Sequence, residues 1–94
     1  MTKEQLLGEV EDLLRTTPTL PGKPDLNKLT EWMGRCAAVI SAWDSSAGVF
    51  ATHHITQTHG YMTSVVIHPL AEVPFRKLLT LLQQARFDLR MQTT

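Results

Sequence analysis

Along Leu26 to Trp43 the apolar residues Leu26, Leu29, Met33, Cys36, Ile40 and Trp43 recur at alternating steps of three and four, which places them on one stripe of an α-helix. Trp32 and Val39 flank that stripe and widen the apolar face beyond a two-helix seam, so more than one neighbour is expected. On the opposite side Gly34, Ala38 and Ala42 stand four residues apart, a row of minimal side chains that predicts a second contact surface. Arg35 is the only charge between Glu31 and Asp44, so the segment reads as the middle layer of a helical bundle.

The flanking segments repeat the helical period. Thr2 and Gln5 match a capping box, and Leu6, Leu7, Val10, Leu13 and Leu14 follow at helical spacing with Glu4, Glu9, Glu11 and Asp12 mostly opposite. Thr16 and Thr17 before Pro18 end that helix, because a residue preceding proline is pushed out of the α region. Pro18, Pro21, Gly22 and Pro24 predict a stiff connector, and Asp25 is expected in the first turn of the next helix. Near the other end Pro74 suits the first position of a helix that carries Phe75, Leu78, Leu82, Ala85 and Leu89 on one face.

The middle is ambiguous. From Ser45 to Ala71 there is no Asp, Glu, Lys or Arg, and Val49, Phe50, Thr52, Ile55, Thr56 and Thr58 prefer strands. A lone pair of short strands is marginal in a helical chain, so residues 45–59 are expected as a third helix, started by Ser45 as a cap and stopped at Gly60. Residues 61–71 are then irregular or extended. The expected fold is an all-α bundle of three to four helices, about 2–16, 25–44, 45–59 and 73–91, with an α+β arrangement holding a short hairpin in 49–67 as the alternative.

Ninety-four residues make one small helical domain, or the N-terminal module of a longer protein. The formal net charge is zero, which removes the electrostatic footprint of a general nucleic-acid binder. The signs are nevertheless separated: residues 1–17 carry a net of minus two and residues 72–94 a net of plus two, which favours packing of the first helix beside the last. A single Cys excludes an internal disulfide and suits a reducing compartment, and no stretch approaches the roughly 20 apolar residues of a membrane span. A cytoplasmic location is expected.

Chemistry is sparse. His53, His54 and His59 are separated by one, five and six residues, not by the four that puts two ligands on one helical face, and no metal site is expected. Cys36 lies on an apolar stripe, the usual place of a small buried thiol. There is no nucleophile elbow, phosphate loop or carboxylate pair, so neither a catalytic residue nor a cofactor is called for. Arg76 and Arg90 share a face with Arg86 close by and Lys77 at one edge, a face that is either solvated, paired with the acids of the first helix, or able to hold an anion. Phe87 falls off the apolar stripe, as an exposed anchor or a cover for the end of the first helix.

Two stretches, GRCAAVISAWD at Gly34 to Asp44 and LLQQARFDLR at Leu81 to Arg90, resemble segments of helical domains at the beginning of uncharacterised bacterial and phage-related proteins. The resemblance covers about a quarter of the chain, implies an all-helical module and brings no catalytic residue. The expectation is a non-enzymatic module that binds a protein partner or its own copies through Trp32, Val39, Trp43 or Phe87. The alternative is an oligomeric binder that sequesters a nucleotide-like anion between Arg76, Arg86 or Arg90 and the side chains of His53, His54, His59 or Tyr61.

Overall fold

A computed structural model describes residues 2–19, 25–62 and 67–93. Among these residues four helices make an all-α fold: α1 (Lys3–Arg15), α2 (Leu26–Trp43), α3 (Ser45–Gly60) and α4 (Glu72–Thr93), with a 3-10 turn, Pro69–Ala71, leading into α4. No described helix is long and apolar enough to cross a membrane.

Local chemistry sets the helix ends. The Thr2 hydroxyl accepts from the Gln5 amide at 3.1 Å while the Thr2 amide donates to the Gln5 side-chain oxygen at 2.9 Å, which completes the capping box. Asp25 lies outside α2 and caps it, its carboxylate accepting from the Asn27 and Lys28 amides at 3.0 and 3.3 Å. Asp44 does two jobs. Its amide donates to the Ile40 carbonyl at 2.8 Å to close α2, and its carboxylate accepts from the Ser46 and Ala47 amides at 2.8 and 3.2 Å to open α3. The cap is therefore Asp44 and not Ser45, because a carboxylate reaches two free amides and also suits the positive end of the helix dipole.

Two further boundaries move. The turn at Pro69 starts the last helical segment early, its first amide held by the His68 ring nitrogen at 3.1 Å, so Pro74 sits in the third position of α4. Gly60 is the last residue of α3, with Tyr61 as the cap. Among the described residues the hairpin alternative shrinks to one antiparallel bridge, Met62 to Ile67. Residues 63–66 inside that bridge, and Pro21, Gly22 and Pro24 of the expected connector, lie outside the described residues.

Trp32 near the start of α2 stacks on Phe75 near the start of α4, and Trp43 at the end of α2 bonds to Asp88 near the end of α4, so the two helices run the same way. After the single-residue link at Asp44, α3 runs back against both. Helix α1 packs on α4 and α2, and among the described residues it shares no packing with α3. The core between them holds Leu13, Leu29, Met33, Cys36, Ile40, Leu78, Leu82 and Leu89, all buried. Each fully buried aliphatic side chain contributes about 1.5–3 kcal/mol.

α3 contributes to that core mainly small residues, Ala47, Gly48 and Ala51. The α2 and α3 backbones meet closely: a Cβ at Gly48 would lie 2.8 Å from the Cα of Ser41, and backbone cannot step aside cheaply. Gly34 has nothing within 4 Å of where its Cβ would be. Urea denaturation should therefore separate the two glycines. Gly48→Ala is expected to lose about 1–3 kcal/mol by overpacking, whereas Gly34→Ala should gain up to about 1 kcal/mol from helix propensity.

Candidate functional site

The apolar face expected to need a partner is largely covered by the chain itself. Trp32 and Val39 are in the core. The Trp32 ring lies 5.5 Å from Phe75, and its indole N–H donates to the Leu13 carbonyl at 3.1 Å. Trp43 is half-buried and its indole donates to Asp88 at 2.7 Å, an oxygen that also accepts from the Gln92 amide at 2.6 Å. The Gly34, Ala38 and Ala42 row faces solvent instead of a neighbouring helix of the same chain.

The apolar surface that remains lies elsewhere. Phe87 is 69% exposed, with Met91 one turn further along α4, so it does not cover the end of α1. Val49 and Phe50 are exposed in the first turns of α3. Because α3 starts just after Trp43, which bonds to Asp88, these two groups lie toward the same end of the bundle. Tyr61, Leu70 and Val73 are exposed at the opposite end, where α3 finishes and α4 begins.

The charged residues pair in the sense the sequence implies, with different partners. Arg90 of α4 reaches Glu11 of α1 at 2.8 Å, but Glu9 and Asp12 are taken by Arg35 of α2, at 2.9 and 3.4 Å. Arg76 pairs within its own helix with Glu72 at 2.9 Å. Hydrogen bonds from Arg15 and Arg35 hold the Asp12 carboxyl below its ordinary value, and the bond that Arg35 donates to Glu9 raises the Arg35 guanidinium. Arg76 and Arg90 stand fourteen residues apart along α4, roughly 21 Å. Each is engaged by a carboxylate, Arg76 by Glu72 and Arg90 by Glu11.

No protein-family model, curated protein or solved structure matches this chain.

Among the described residues no three His, Cys, Asp or Glu side chains gather in one place. His53 and His59 are exposed on α3, while His54 is half-buried with its Nδ1 enclosed and unbonded. A cleft that periodicity could not reveal lies beside it, lined by Gln57 and Tyr61 from α3 and its cap and by Leu70, Val73, Pro74 and Lys77 from the turn and α4. Its volume is about 220 Å³. Tyr61 and Lys77 carried a signal singly in the sequence; the turn that joins their helices brings them together.

Burial, then the nearby positive charges of Lys77 and His53, push His54 below its ordinary value of 6.5. The unfolded chain consequently binds a proton at this residue more readily than the folded one. Stability should fall as the pH drops through about 6.5 toward the lower folded value, and His54→Gln should flatten that part of a denaturation-versus-pH curve. Burial also pushes the Cys36 thiol up to about 12. At neutral pH it is a core thiol, so a disulfide reagent should label it only at the rate at which the chain unfolds, and faster labelling in native buffer would contradict that.

Proposed function

We propose that this chain is a non-enzymatic helical module, of bacterial or phage source and working in the cytoplasm, that acts by binding protein, with its own copies the first candidate. The observation that carries the reading is the apolar surface left at one end of the bundle, Phe87 and Met91 on the last turns of α4 together with Val49 and Phe50 on α3. Several large apolar side chains exposed toward one end, rather than one alone, are what marks a surface for association. The exposed Gly34, Ala38 and Ala42 row adds a place where a second backbone approaches α2 without steric cost.

The surplus area therefore belongs to the outer side of α4 and α3, while Trp32 and Val39 serve the interior. Burying one phenylalanine contributes about 1.5–3 kcal/mol, enough for weak association and too little for a permanent complex by itself. Light scattering across a concentration series is expected to show a mass that rises above the monomer. Phe87→Glu should return it to the monomer without lowering the melting temperature, because the side chain makes little of the core. A strict monomer at millimolar concentration, unchanged by that substitution, removes self-association as the mode of action.

A further inference from the structure

We propose that the cleft between the end of α3 and the start of α4 binds a small organic acid, a carboxylate carried on a compact apolar body. Of the large hydrophobic side chains exposed among the described residues, Tyr61, Leu70 and Val73 all line this one cleft, and Pro74 adds to its apolar wall. Tyr61 is braced by His68, whose ring lies 5.7 Å away. The volume of about 220 Å³ lies below the range of roughly 300–1,000 Å³ typical of drug-sized ligands, so the occupant is small.

Charge decides its sign. The lining holds one ion, the Lys77 ammonium, and one polar amide, Gln57, and no acid. Among the described residues Lys77 has no carboxylate within ion-pair distance, in contrast to Arg15, Arg35, Arg76 and Arg90. Glu72, the acid nearest in sequence, is engaged by Arg76 at 2.9 Å. The α3 side adds no negative charge, since residues 45–71 contain no acid at all. A cation with no carboxylate partner among the described residues, at the rim of an apolar cleft, is complementary to a carboxylate whose body packs on Tyr61, Leu70 and Val73, beside the polar Gln57 side chain, which bonds to His54.

The surface invoked for protein binding is at the other end of the bundle, so each reading can fail alone. The test is a two-dimensional NMR titration of the full chain with phenylacetate and with its neutral isostere phenylacetamide. Phenylacetate is expected to bind in the millimolar range, with saturable shifts centred on the amides of Gln57, Tyr61, Leu70, Val73 and Lys77. Phenylacetamide should bind two- to fivefold more weakly, the worth of one exposed ion pair. Lys77→Gln should bring the acid down to the level of the amide without lowering the melting temperature, and Phe87→Glu should leave both affinities as they are. Bound acid should also let His54 hold its proton at higher pH, because the carboxylate offsets the repulsion from Lys77. No saturation by 50 mM, equal binding of acid and amide, or an unchanged affinity in Lys77→Gln would each overturn the proposal.

Discussion

One buried indole holds three helices in place. Trp32 must find a partner for its N–H inside the protein, since a buried donor left unbonded costs about 1–3 kcal/mol. It finds the Leu13 carbonyl in the last turn of α1, which also accepts from the Thr17 hydroxyl at 3.2 Å. The same ring lies against Phe75 at the start of α4. The end of α1, the beginning of α2 and the beginning of α4 are thus fixed to one side chain. Trp43 repeats the device less deeply at the far end of α2, bonding to Asp88, and between the two indoles lie Met33, Cys36 and Ile40 with no exposed surface.

Charge has a secondary part. The pairs from Arg35 to Glu9 and Asp12 and from Arg90 to Glu11 are solvent-facing, and exposed pairs of that kind contribute about 0–1 kcal/mol each. They select which helix lies beside which more than they hold the bundle together. α3 has no such help, being free of Asp, Glu, Lys and Arg. It is held by close backbone approach at Gly48 and by small residues. Its threonines satisfy themselves, with Thr52, Thr56 and Thr58 donating to the carbonyls of Gly48, Thr52 and His54 at 3.0, 3.0 and 2.8 Å. That is how a segment rich in strand-preferring residues is accommodated as a helix and buries Thr58 completely.

The exposed apolar residues divide by end. Phe87 and Met91 lie with Val49 and Phe50 where α2 turns into α3, and Tyr61, Leu70 and Val73 lie where α3 turns toward α4. One group lies on helix exteriors. The other walls a small concavity beside Lys77, which among the described residues has no carboxylate at ion-pair distance. The long uncharged stretch between Asp44 and Glu72 separates them, so a change at one end need not be felt at the other.

Periodicity alone was enough for α1, α2 and α4, because their apolar residues return every three or four positions and their caps, such as Thr2 with Gln5, are local chemistry. The separation of charge was enough to place α1 beside α4. For α3 the local preferences pointed to strands, and the contacts with α2 and α4 prevailed. Which side of α2 would be covered was also beyond the sequence: both a broad aromatic face and a row of small residues were plausible contact surfaces, and only the position of Phe75 and Leu13 shows that the chain covers the first and leaves the second bare. The cleft of Gln57, Tyr61, Leu70, Val73, Pro74 and Lys77 was illegible for a related reason. Its residues belong to different elements and share no period, so nothing short of the turn that folds α4 back along α3 brings them to one place.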